Sequence, residues 1–138
     1  IEQCKDEKIL CWLENHLCLV PMFPRKNGCS VVENKDITET KVKALAKAAD
    51  DCWEAIMRTD LKAFAAAYRA SFEAQISMFP AMIQPGVQDY INHYSAMDGV
   101  LAWKMPGAGG GGYLALVIEN ANIFCQSVTE AIPLTIRR

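Results

Sequence analysis

KMPGAGGGGYLALV, residues 104–117, decides how the chain reads. Five of the chain's eight glycines fall between Gly107 and Gly112. Glycine is entropically expensive to order, so such a density needs a reason. The runs on either side, VLAWKM (100–105) and YLALVI (113–118), are rich in strand formers and predict two strands. A hairpin between them needs only about two to five connecting residues, usually with one or two glycines. The surplus fits either a flexible connector or a backbone that approaches a ligand closely, its N–H groups turned toward an anion. The spacing is not GxGxxG and lacks a GK[ST] ending, which argues against a dinucleotide fold and a Walker loop.

The pattern on both sides of this hairpin is mixed helix and strand. Downstream, Asn120 or Asn122 can cap a helix, and Leu134-Thr135-Ile136 can add a last strand. Upstream, Pro85 suits the start of a helix whose buried face is Val87, Tyr90, Ile91 and Tyr94, with Gly99 as its C-terminal cap. Before it, Asp60 can cap a helix bearing Leu61, Phe64, Ala65, Tyr68, Phe72 and Phe79, which Pro80 stops. An earlier helix begins at Asp36 or Thr38. Its apolar stripe is Val42, Leu45, Ala46, Ala49, Trp53, Ile56 and Met57. Residues 8–22 hold two runs rich in strand formers on either side of Glu14-Asn15 and predict a β-hairpin, and Pro21 to Asp36 reads as a loop. The expected order, β-β-α-α-α-β-β-α-β, makes residues 1–138 a single α+β domain: an antiparallel sheet with helices packed on one face.

Composition removes several function classes. The 138 residues are 51% hydrophobic and 22% charged, which suits a globular domain. A net charge of -2 with mixed signs offers no footprint for nucleic acid or an anionic membrane. No apolar run approaches the roughly 20 residues that span a bilayer. The six cysteines, three of them spaced by seven at Cys4, Cys11 and Cys18, include no CxxC pair. They read as reduced thiols of a cytoplasmic protein, with no metal site. His16 and His93 read as structural, and Asp50-Asp51 as solvated helix surface.

The segment 104–117 resembles the third signature of the GHMP small-molecule kinases: a basic residue, a few small or apolar ones, GAGGGG, then an apolar strand. The aromatic after the loop makes it most similar to the branch containing fucokinases and heptose-phosphate kinases. Outside the loop the resemblance is one of element order, over residues 15–138. It implies a ferredoxin-like C-terminal kinase domain in which Gly107, Ala108, Gly109, Gly110, Gly111 and Gly112 close a phosphate and substrate cleft. It also implies that Lys104 and Arg25 are candidate substrate contacts. Pro106 departs from the usual small or apolar residue, and the PMFPRKNG context of Arg25 does not match the family.

The family's other signatures, including the PxxxGLGSSA-like phosphate loop at a helix N-terminus, do not occur. The catalytic residues would then lie in a separate N-terminal kinase domain of the same polypeptide, and ATP and Mg²⁺ would serve the whole enzyme on a sugar or sugar-phosphate substrate. With Ile1 in first position, the expectation is an excised domain without turnover of its own. Two other readings stand beside it. A free-standing module that binds an anion or small molecule would bind nucleotide or anion unaided. A structural domain with a degenerate loop would be a homodimer. The kinase reading expects a large apolar face left exposed for the other domain.

Overall fold

The glycine run joins two strands. The computed structural model describes residues 2–24, 35–107 and 111–138. Strand β2 (Val100–Lys104) and strand β3 (Tyr113–Ile118) pair antiparallel across it. β3 pairs on its other side with β1 (Leu17–Pro21), and β1 with the short β4 (Ile132–Pro133), giving the order β2-β3-β1-β4. All three pairings are antiparallel. The helices are α1 (Glu7–Asn15), α2 (Glu39–Met57), α3 (Leu61–Met78), α4 (Val87–Ser95) and α5 (Ala121–Ser127), with a 3₁₀ turn at Pro80–Met82.

The class is the expected α+β, with an antiparallel sheet and a helical cover. Successive strand residues point to opposite faces, so the register sorts the core. Leu17 lies opposite Val117, and both belong to a cluster with Ala55 of α2 and Phe64 and Ala65 of α3. Cys18 and Val20 lie opposite Leu116 and Leu114 on the other face, in a larger cluster with Val87, Ile91 and Tyr94 of α4 and Phe124 of α5. The long helices therefore cover one face as expected, and α4 with α5 adds a cover on the second face, where none was expected from sequence.

Residues 8–22 are not a hairpin. Residues 7–15 are α1, and only the second half is a strand. Asp6 starts the helix by accepting from Lys8 N–H, and the side chains split helically: Lys8, Cys11 and Asn15 are exposed while Ile9, Leu10, Trp12 and Leu13 are partly covered. The composition favours a strand, but helix geometry lets Trp12 and Leu13 reach Phe64 and Val117 in one cluster. The C-terminus holds α1 down. Arg138 contacts Glu7 Oε1 and Glu14 Oε2, each at 2.8 Å, and Ile136 N–H donates to Glu14. These hydrogen bonds keep both carboxyls below their ordinary pKa.

Other boundaries follow their caps. Thr38, Asp60 and Asn120 cap α2, α3 and α5. Asp36 instead takes Lys41 Nζ as its partner. Gly86, not Pro85, is the residue before α4, and Gly99 (φ +84) turns the chain into β2 after the helix has ended at Ser95. The last strand sits at residues 132–133 rather than 134–136. On α2 the buried residues are Ala48 and Ala55, whereas Val42, Ala46 and Ala49 of the expected stripe are exposed.

Leu116 sits in the central strand, fully buried. Leu116→Ala should cost about 2–5 kcal/mol in urea unfolding. Ile123→Ala, at a side chain 64% exposed, should stay within about 0.5 kcal/mol of the parent.

Candidate functional site

Both flanks of the glycine loop are anchored, each to a different layer. On the leading side Lys104 ends β2, and its ammonium donates to Ser71 Oγ of α3 at 2.6 Å. Desolvation lowers the pKa of this half-buried lysine, and its nearby Cys52 pulls weakly the other way. Met105, next in the chain, is fully buried. On the trailing side Gly112 makes two backbone bonds to the segment after β1: Met22 N–H donates to its carbonyl at 2.7 Å, and its own N–H donates to Phe23 O at 2.8 Å. These bonds extend the β1–β3 ladder past the Pro21–Tyr113 pair.

Gly107 (φ +69), Gly111 (φ +139) and Gly112 (φ +85) occupy the region that side chains disfavour. A Cβ built on Gly107 or Gly112 would meet nothing within 4 Å. Backbone conformation, not crowding, therefore selects glycine there, and the space beside both Cα atoms is open. Ala108, Gly109, Gly110 and Arg25 lie outside the described residues.

Phe23 carries the trailing anchor further. Its ring stands 6.0 Å from that of Tyr90, and a Cβ on Gly86 would come within 3.2 Å of it. Gly86 (φ +93) thus combines a left-handed turn with close packing, and the start of α4 is held against the loop's exit. Ser71, Phe23 and Gly86 were not among the candidates from sequence. Gly86 has a local signal in the Pro85-Gly86 turn. Ser71 and Phe23 have none, because their partners lie far along the chain.

Lys104 and the loop adjoin in sequence, but the ammonium is engaged by α3. Beside the loop, on one face of the sheet, register groups Leu19, Pro21, Tyr113 and Ile132. Tyr113 is 46% exposed and Ile132 41%, and Leu19 belongs to neither core cluster. A cavity of about 470 Å³ lined by Met97, Gly99, Glu119 and Phe124 opens at the opposite end of the β2–β3 hairpin. That is roughly 17 Å along the strands from the loop.

The histidines have structural surroundings. His16 Nδ1 lies 3.0 Å from Ile118 O beside Trp12, and His93 packs edge-on against Tyr94. Among the described residues no three His, Cys, Asp or Glu side chains group as metal ligands, and no helix is long and apolar enough to cross a membrane. The five described cysteines are free, with Cys11 exposed on α1 and Cys18 buried in β1; Cys29 lies outside the described residues.

No protein-family profile matches the chain, and no curated protein does. Solved structures do. A crystal structure of a Campylobacter jejuni protein assigned as a sugar kinase superposes with a TM-score of 0.57 over 99% of this chain, at 16% identity. A structure of MDDEF in complex with MVAPP superposes with a TM-score of 0.51 over 88% of this chain, at 14% identity. The likeness is one of fold. The chain spans 38% and 45% of those two chains, so its arrangement of sheet and helices forms part of a longer polypeptide in both.

The Lys104 anchor gives a pH signature. Its folded pKa is depressed, so the unfolded chain binds more protons between that value and the unperturbed 10.5. The stability of the parent relative to Lys104→Met should therefore be flat at neutral pH and rise toward pH 10.5. Paired urea titrations across pH 7 to 10.5 read this difference directly.

Proposed function

We propose that this chain is the C-terminal domain of an ATP-dependent sugar or sugar-phosphate kinase of the GHMP type, acting in the cytoplasm. The glycine loop would complete a phosphate and substrate cleft shared with an N-terminal domain. The single observation that carries this reading is the hairpin itself. A run matching the family's GAGGGG signature sits between β2 and β3, with glycine-specific angles and open space at Gly107 and Gly112. The surrounding fold is one that a protein assigned as a sugar kinase contains as part of its chain.

The residues fit a supporting role at a phosphate. Left-handed glycines let successive backbone N–H groups turn to one side, the arrangement that holds anions without a side chain. In this reading Gly107, Gly111 and Gly112, with Ala108, Gly109 and Gly110 between them, line the cleft. Arg25 is a candidate contact two positions beyond Phe23, whose carbonyl holds Gly112. Lys104 acts through the loop's position, because Ser71 already takes its ammonium. ATP would bring the transferable phosphoryl group, and Mg²⁺ would neutralise its charge. Both would be held chiefly by the other domain, since the sequence carries no PxxxGLGSSA-like loop. Beside the loop, exposed Tyr113 and Ile132 with half-buried Leu19 and Pro21 offer that domain an apolar place to rest.

The alternative, a free-standing anion-binding module, rests on the same loop and differs in what the isolated chain can do. The kinase reading expects a native gene product more than twice the 15.3 kDa of this chain. It expects ATP- and Mg²⁺-dependent turnover of a sugar by that product and none by residues 1–138. Gly112→Val, which forces a β-branched residue to φ +85, should lower kcat/KM of the longer product by about a hundredfold. A native product of 15.3 kDa that binds phosphate would instead establish the module.

A further inference from the structure

The apolar row that the sequence places on α2 is used only in part by this fold: Ile56 packs on a core cluster, and Leu45 and Met57 are half-buried. At about 100° per residue, the side of α2 turned to α3 and the sheet is marked by Ala48, Cys52 and Ala55. Val42, Ala46, Ala49 and Trp53 stand roughly a third of a turn away from it. Val42 is 47% exposed, both alanines are exposed, and Trp53 is only partly covered and joins neither core cluster. Single exposed apolar residues need no explanation. A continuous row over about three turns does.

The spacing of the row, if not its residues, is the same from both ends. Val42 and Trp53 are equidistant from the midpoint between Lys47 and Ala48, and so are Ala46 and Ala49. A second α2 laid antiparallel across a two-fold axis at that midpoint sets Val42 on Trp53 of the second copy and Ala46 on its Ala49. Small side chains at the centre allow the helix axes to approach to about 8 Å. The charges follow the same symmetry. Lys43 and Asp50 share one flank of the row, so the antiparallel pair brings Lys43 to Asp50 of the second copy with an axial offset of about 3 Å, twice over. A parallel pair, whose two-fold axis runs along the helices, would put the two copies of this flank on opposite sides of the row and bring neither charge to the other. Asp50 forms no ion pair among the described residues, and Lys43 has only the exposed Glu39 one turn away. A foreign partner would require none of this internal symmetry.

We propose that α2 is the interface of a two-fold homodimer, packed antiparallel on its own copy through Val42, Ala46, Ala49 and Trp53 and registered by Lys43 with Asp50. The interface is independent of the kinase reading, since it lies on a helix that does not carry the glycine loop. Sedimentation equilibrium on the 138-residue chain tests it, with circular dichroism to verify that every variant is folded. The unsubstituted chain should dimerise. Lys43→Glu and Asp50→Lys should each weaken the dimer about tenfold, and the double exchange should return it to within about threefold. Ala49→Glu should leave a folded monomer. A chain that stays monomeric up to about 100 μM would overturn the proposal and leave the row to a different partner. A dimer indifferent to Ala49→Glu, or one that the double exchange does not restore, would overturn it equally.

Discussion

Past Tyr113, strand β3 has no exposed side. Leu114, Ala115, Leu116, Val117 and Ile118 are all buried, and the strand pairs on both edges, with β2 and with β1. A strand in that position demands cover on both faces, because an uncovered apolar row would lie in water. The placement of α3 against one face and of α4 with α5 against the other answers that demand. Even the irregular step in the ladder between Val100 and Ala102 leaves Ala102 buried against Val117.

The glycine loop inherits its position from this strand. Its trailing end is the start of β3, tied through Gly112 to the exit of β1. Its leading end is the close of β2, tied through Lys104 to α3. The two anchors differ chemically. One is a pair of backbone bonds that no substitution at Met22 or Phe23 short of proline directly removes. The other is a single partly desolvated ammonium–hydroxyl bond, which titrates and can be deleted by one substitution. The fold so holds the loop's ends in place while leaving open space beside two of its glycines.

Much of this was legible where the signal is local. The caps at Asp60 and Asn120, the stop at Pro80 and the strands flanking the glycines each depend on residues within one or two turns of one another. Residues 8–15 misled because Ile9, Leu10, Cys11 and Trp12 are acceptable in strand or helix. What decides is Phe64 and Val117, which give Trp12 and Leu13 something to pack on, and Arg138, which pairs with the outer carboxylates. On α2 the period was right, but the stripe is covered only in part: Ile56 packs on the core while Val42, Ala46 and Ala49 are exposed. An apolar stripe records that a face is meant to be covered but not by what. The loop was visible from glycine density alone, whereas its anchors at Ser71, Met22 and Phe23 are tertiary contacts that no local pattern encodes.

The clamp between Arg138 and α1 has a mechanical meaning. It ties residues 136–138 to the first helix, so a pull that separates this segment from α1 loads these side-chain pairs before it reaches the sheet. Glu7 is largely exposed and Glu14 more covered, so salt screens the outer pair more than the inner one. Under load the molecule would open as a purse does at its drawstring: the tail lifts from α1 first, more easily at high ionic strength, while the buried ladder of β1 and β3 still holds.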